Sequence, residues 1–173
     1  MDRVLAAFLA RQYEEGMALA ADSDILDLLP VDGPPVQRYL AGFRCTGLVK
    51  AESGAIVEAD RFLIGVWFSE QYLRAADPFA VLALLEPRRV LHPNVRAPFI
   101  CAGRLAPGTP LVDLLYRCFE IITYRRVTMR EDDALDHEAC AWARRNQHRF
   151  PVDTRPLKRR SVEFDVETIE VAR

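Results

Sequence analysis

Four short apolar runs, each closed by proline or by turn-forming residues, constrain most strongly how this chain can fold. They cover residues 25–29, 39–49, 62–68 and 79–85. Runs of this length at hairpin spacing favour an antiparallel meander of four strands. The second run alternates apolar and polar side chains, which predicts a strand with one polar face. Residues 62–68 are nearly all apolar and rich in strand formers, so they predict a central strand.

Helical patterns flank these runs. Apolar spacing predicts a helix over the first twenty residues. Thr109 and Pro110 suit the start of a second helix, with the hydroxyl as N-cap and proline at the first helical position. Asp132 and Asp133 are expected to cap a third helix. Residues 88–108 have little periodicity and three prolines, and long loops of this kind are usually functional. The predicted class is α+β.

Length and composition predict one domain over residues 1–150 and a tail over residues 151–173. In the tail, Val162, Phe164 and Val166 alternate like an edge strand or an extended arm. The net charge of −2 gives no electrostatic argument for a nucleic-acid partner. No stretch approaches the roughly 18 apolar residues of a membrane span. The N-terminus lacks the layout of a signal peptide. We therefore expect a cytoplasmic protein without a membrane partner.

The four cysteines do not form a CxxC pair, so neither a zinc site nor a redox dithiol is supported, and no metal or cofactor is expected. Cys45, Cys118 and Cys140 fall on apolar faces of predicted strands and helices, which favours core positions. Cys101 lies in the long loop. Taken alone, a free cysteine flanked by Phe99 and Ile100 favours a buried, inert thiol here as well.

The loop also contains His92-Pro93-Asn94, and Cys101 follows His92 by nine positions. In order and spacing, this motif, the cysteine and the Thr109-Pro110 helix start resemble the ubiquitin-conjugating enzyme family. The resemblance covers about the first 146 residues. It implies an N-terminal helix, a four-stranded antiparallel meander, an active-site loop and C-terminal helices. The chain departs from the family at Ala102-Gly103, where Leu-Asp is common.

The resemblance implies that Cys101 carries a ubiquitin-like modifier as a thioester. A thioester is reactive toward amines, and cysteine is the side chain that can form one. The implied partners are the modifier protein, an activating enzyme that supplies it, and a target protein lysine, with a ligase as an optional further partner. Trimmed members with an Arg/Ala-rich composition look like those of bacterial antiphage defence operons, which is an analogy only.

Further roles follow from the same resemblance. Asn94 either stabilises the negative charge on the reacting carbonyl oxygen or holds the loop that does so. His92 and Pro93 shape the active-site loop. An acidic residue at the start of the third helix assists the attacking lysine: Asp133, or in its place Asp132 or Glu131.

Two other functions are compatible with the sequence. One is an inactive variant of the same fold that serves as a binding or scaffold module, although such variants generally lose the cysteine. The other is an unrelated cysteine hydrolase, which needs a histidine base and an orienting Asp or Asn near the thiol. No hydrolase motif is present.

Overall fold

The computed structural model describes residues 2–159, which form an α+β fold. The helices are α1 (Arg3–Ala21), α2 (Pro78–Val81), α3 (Leu111–Ile122) and α4 (His137–Arg145). The strands are β1 (Leu26–Pro30), β2 (Arg38–Phe43), β3 (Gly47–Lys50), β4 (Ile56–Ala59), β5 (Phe62–Trp67), β6 (Leu82–Glu86), β7 (Val95–Arg96) and β8 (Phe99–Ile100). Short 3-10 helices, Glu131–Asp133 and Gln147–Arg149, lie on either side of α4.

Six strands form one antiparallel sheet in the order β1-β2-β5-β6-β8-β7, and β3 pairs with β4 in a separate hairpin. The register places Leu28 opposite Ala41 and Ala41 opposite Ile64, so buried side chains share one face. Helices α1 and α3 contribute to the same core. The α+β class, the N-terminal helix and the antiparallel sheet are therefore confirmed. No helix in the described range is both long and apolar enough to cross a membrane.

The predicted strand over residues 39–49 is wrong in its extent, because β2 ends at Phe43 and the chain bends before β3. Cys45 is fully buried in this bend rather than on a strand. The Thr46 N–H donates to the carboxylate of Asp153 at 2.8 Å. This partner is distant in sequence, and it holds the bend where local alternation predicts continued strand.

The predicted strand over residues 79–85 begins instead as the helical turn α2. Asp77 accepts a hydrogen bond from the Phe79 N–H at 3.0 Å, and Pro78 occupies the first turn. An aspartate cap followed by proline favours a helix start. The strand then begins at Leu82.

Thr109 is not the N-cap of α3, which corrects the sequence prediction. Its hydroxyl donates to the Ala106 carbonyl at 2.7 Å, and Pro110 occupies the cap position without a side-chain bond. The cap comes from α1, where Gln12 accepts the Leu111 N–H at 2.7 Å. Gln12 is 2% exposed, so this bond ties the two helices together inside the core.

The predicted cap of the last helix is also displaced. Asp132 and Asp133 belong to the 3-10 helix, and α4 begins only at His137. Asp136 is the cap, because its carboxylate accepts the Ala139 N–H at 2.9 Å. Three aspartates within five residues make the true cap hard to choose from sequence alone.

The first part of the predicted tail, residues 151–159, packs against the body of the fold. Leu157 is 1% exposed, and its carbonyl accepts a hydrogen bond from the Ser23 hydroxyl. The Arg159 N–H donates to the Asp22 carbonyl at 2.8 Å, next to the end of α1. The edge strand or arm predicted around Val162 to Val166 lies outside the described residues.

Replacing Gln12 with leucine should lower the free energy of unfolding by about 1–3 kcal/mol, because the Leu111 N–H would be left buried without an acceptor. Urea denaturation of the two proteins measures the difference. Gln71→Leu is the matched control, since Gln71 is exposed. Equal effects of the two substitutions would contradict the role given to Gln12.

Candidate functional site

The β7–β8 hairpin brings the His92-Pro93-Asn94 motif alongside Cys101. Val95 pairs with Ile100, and the ladder continues where the Cys101 N–H donates to the Asn94 carbonyl at 2.8 Å. Ile100 and Ala102 are buried, whereas Cys101 between them is half-buried. Alternation along extended backbone thus directs the Cys101 side chain toward the surface.

The side chain of Asn94 connects three segments. Its Nδ2 donates to the Cys101 carbonyl at 3.2 Å and to the Thr128 Oγ1 at 2.8 Å. Its Oδ1 accepts the Thr128 N–H at 2.9 Å. Asn94 is 5% exposed, and its two amide protons already have acceptors, one on Cys101 and one on Thr128. This arrangement favours a role for Asn94 in holding the loop over direct donation from its amide to a reacting oxygen.

Sequence reasoning missed Thr128. Thr128 lies in the stretch between α3 and the 3-10 helix Glu131–Asp133. The sequence of this stretch predicts only a polar break between two helices. No spacing rule connects a threonine there with Asn94, 34 residues earlier. Only the path of the chain after α3 brings the two side chains together.

His92 lies completely buried beneath the motif. Its Nδ1 accepts the Asn94 N–H at 3.0 Å, which leaves the ring proton on Nε2. Nε2 is buried without a hydrogen-bond partner among the described residues. Burial lowers the pKa of His92 to about 3, and the neighbouring backbone of Arg126 offsets only part of this effect. A neutral, enclosed imidazole suits a loop-shaping role and not that of a general base.

Tyr124 supports His92 from below. The two rings meet edge to face with centroids 4.4 Å apart, and the Tyr124 hydroxyl donates to the Leu91 carbonyl. Tyr124 has a φ of 59°, the left-handed conformation in which a helix often ends, here on α3. For a residue with a side chain this costs about 1–2 kcal/mol. Burial of the ring against Phe150 and Trp142 offsets that cost.

A small second core underlies the loop and includes Tyr124. It connects the hairpin β3–β4, the motif and α4, so these elements position the site together. Its buried members are Leu48, Leu91, Tyr124, Ala139 and Ala143.

Arg117 holds the residues that follow Cys101. The Arg117 guanidinium on α3 donates to the Ala102 carbonyl at 3.4 Å and to the Arg104 carbonyl at 3.1 Å. Gly103 has a φ of +80°, and a Cβ added there would lie 3.3 Å from Nη2 of Arg126. Both features favour glycine. The positive φ therefore explains why glycine suits position 103.

Asp133 lies near the loop but is not joined to Cys101 by any hydrogen bond or ion pair within residues 2–159. Its carboxylate is exposed and 3.5 Å from Nε of Arg130. The segment is attached to the motif nearby, where the Leu135 N–H donates to the Pro93 carbonyl at 2.8 Å. Asp133 and its two acidic neighbours occupy the same 3-10 helix. The choice of one of them as the residue that assists the lysine stays a prediction.

The other three cysteines occupy the core, as the sequence predicts. Cys45, Cys118 and Cys140 are at most 1% exposed. Burial raises the pKa of Cys45 and that of Cys118 to about 12, so neither forms a thiolate near neutral pH. Cys101 is the one cysteine of the four whose side chain reaches the surface.

Comparison with known proteins leaves the site to be interpreted from its own geometry. No protein-family model matches the chain, and no curated protein matches it. Within residues 2–159 no group of three or more His, Cys, Asp or Glu side chains is arranged to hold a metal ion. The proposed function therefore rests on the arrangement of the residues around Cys101 and Asn94.

The stability of the protein should fall as the pH drops below 6.5, because His92 takes up a proton in the unfolded chain but not in the folded one until about pH 3. Between pH 7.5 and 5.5 this contributes a loss of about 1 kcal/mol. Urea denaturation at both pH values measures it.

The variant His92→Gln should be less stable overall and should lack this pH-dependent part. His137→Gln serves as control and should retain it, since His137 is an exposed imidazole on α4. An unchanged pH dependence in His92→Gln would show that other groups cause the effect.

Proposed function

We propose that this protein is a conjugating enzyme for a ubiquitin-like modifier, with the modifier held as a thioester on Cys101. The observation that carries the proposal is the hydrogen-bonded unit between the motif and the cysteine. Backbone and side chain of Asn94 both bond to Cys101, at 2.8 and 3.2 Å. The order of helix, antiparallel meander, loop and further helices supports a ubiquitin-conjugating-like fold.

The proposed reaction has two thiol-based steps. The Cys101 thiolate attacks the thioester carbonyl that links the modifier to the activating enzyme, and the thiolate of that enzyme leaves. A target amine then attacks the new thioester, an amide bond forms, and the Cys101 thiolate leaves. The amine gives up its proton to solvent or to a nearby carboxylate, for which Asp133 is the first candidate.

In this proposal Asn94 is a positioning residue. Its two amide protons bond to the Cys101 carbonyl and to Thr128, so its contribution is to fix the backbone that presents the thiol. Geometry at a reacting centre matters, because small displacements there cost large factors in rate.

The surroundings of His92 argue against a cysteine hydrolase that uses this histidine as its base. Such an enzyme needs a histidine that can take the thiol proton. His92 is fully buried, and its Nδ1 is occupied by the Asn94 N–H. A scaffold without activity would not require a surface-facing thiol at this position, which makes the transferase the better explanation.

The Cys101→Ser variant, incubated with ATP in an extract of its own source, should gain a discrete mass of several kilodaltons, because serine traps the modifier as a more stable ester. Intact-mass spectrometry detects the adduct and identifies the modifier by its mass. Cys101→Ala is the control and should gain nothing. If Cys101→Ser gains no mass and the wild-type protein is also unmodified under non-reducing conditions, the binding module becomes the better interpretation.

Thr128→Val should slow transfer of the modifier to an amine by about tenfold while Cys101 is still charged, because the Asn94 amide loses one of its anchors. Single-turnover discharge of the thioester measures the rate, and the exposed Thr154→Val provides the control. If Asn94 instead donates directly to the reacting oxygen, Asn94→Asp would slow transfer by roughly 100- to 1000-fold while Thr128→Val would have no effect.

A further inference from the structure

Strand β1 forms one edge of the six-stranded sheet, and part of its backbone is unpaired on the outer side. Ile25 and Val31 bond to the neighbouring chain of β2, through the Arg44 N–H and the Arg38 carbonyl. Because bonding alternates along an antiparallel pair, the N–H and the carbonyl of Leu28 point away from β2. Neither group has a hydrogen-bond partner among the described residues. An unpaired edge of this kind is a template for a further strand.

An apolar groove of about 560 Å³ lies beside this edge, between α1 and the turn that joins β1 to β2. Ala10 and Tyr13 of α1 line one side of it, and Pro30, at the end of β1, lines the other. The charged residues of its lining are two acids, Glu14 and Asp32, and no basic residue of the described chain lines it. The groove therefore favours an apolar side chain and repels an acidic one.

The C-terminal segment of the chain approaches β1 at the start of this strand. The Arg159 N–H donates to the Asp22 carbonyl at 2.8 Å, and its guanidinium lies 3.4 Å from the Asp24 carboxylate. Residues 160–173 follow in the sequence. An extended segment has the same rise per residue as β1, and Pro30 lies six positions after Asp24. About six residues beyond Arg159 therefore bring an extended segment level with Pro30 and the groove.

The sequence beyond Arg159 suits such a strand. Val162, Phe164 and Val166 alternate with three acidic residues, so an extended segment here has one apolar face and one acidic face. Phe164 and Val166 are the apolar residues that come level with the groove. The acids of the groove direct the apolar face inward and the acidic face away from α1.

We propose that residues 162–166 bind to the free edge of β1 as a parallel strand, with Phe164 in the groove beside α1. The parallel direction follows from the entry of the segment at the start of β1. A second copy of the chain is the competing occupant of such an edge. The covalently attached segment has the advantage, because its effective concentration is on the order of 1 mM. This interaction does not depend on the proposed function of Cys101.

Amide hydrogen exchange of the full-length protein, followed residue by residue by NMR, tests the proposal. The Leu28 N–H should be protected in the wild-type protein, because a carbonyl of the bound segment accepts it. Phe164→Ser should raise its exchange rate about tenfold, because the segment then dissociates from the edge more often. The Leu29 N–H is the internal reference. It bonds to β2 with or without the segment, so its exchange rate should not change.

Matched variants separate docking from general effects. Ile169→Ser removes an apolar side chain that lies outside the alternation and beyond the reach of β1, so it should leave Leu28 protected. On the groove side, Ala10→Gln should raise the exchange rate of Leu28 by filling the groove. Ala7→Gln, exposed on the same helix outside the groove, should not. Glutamine is a good helix former, so both variants should keep the wild-type urea midpoint.

Rapid exchange of the Leu28 N–H in the wild-type protein would overturn the proposal. Equal protection of Leu28 in the wild-type protein, Phe164→Ser and Ala10→Gln would also overturn it. Protection that rises with protein concentration and persists in Phe164→Ser would identify a second copy as the occupant of the edge, again against the proposal.

Discussion

The buried side-chain amide of Asn94 is the interaction on which the arrangement of the candidate site depends. Its three hydrogen bonds join the motif to the backbone of Cys101 and to Thr128, beyond the end of α3. An unpaired buried polar group destabilises a fold by about 1–3 kcal/mol, so the loss of any of these bonds would destabilise the site. The hairpin, the cysteine and the end of α3 therefore take up their positions together. Tyr124 and His92 beneath them add the apolar support that keeps water from replacing these bonds.

The parts of the fold that the sequence predicts are those set by local periodicity. The N-terminal helix and the central strand β5 follow from the spacing of apolar residues alone. The errors arise where a distant polar partner overrides a local rule. Gln12 caps α3 from 99 positions away, which makes Thr109 unnecessary as a cap. Asp153 holds the bend at Thr46, 107 positions earlier, and so divides a stretch that alternates like one strand.

The same difference between local patterns and distant partners decides which parts of the candidate site could be predicted. The sequence places Asn94 and Cys101 in one long loop, but it does not predict the short β7–β8 hairpin that brings them together. The contribution of Thr128 could not be predicted either, since it depends on the left-handed turn at Tyr124, a conformation that no sequence pattern assigns to tyrosine. The exposure of Phe99 beside Cys101 was also missed. In the sequence, Phe99 is only an apolar residue close to a cysteine. Its register with Arg96 and its exposure in the structure show that it faces outward.

The polar partners of α1 have a consequence for synthesis of the chain. Ser23, just after this helix, bonds to a residue 134 positions later, and Gln12 within it bonds to one 99 positions later. A ribosome adds roughly 5–20 residues per second, so the helix emerges on the order of ten seconds before its last partner. Throughout that interval the side chains of Leu5 and Leu9, buried in the finished fold, have no completed core to cover them. Helix α1 is thus made before the segments that secure it, and the nascent chain passes through a stage in which the buried face of this helix is not yet covered by residues 151–159.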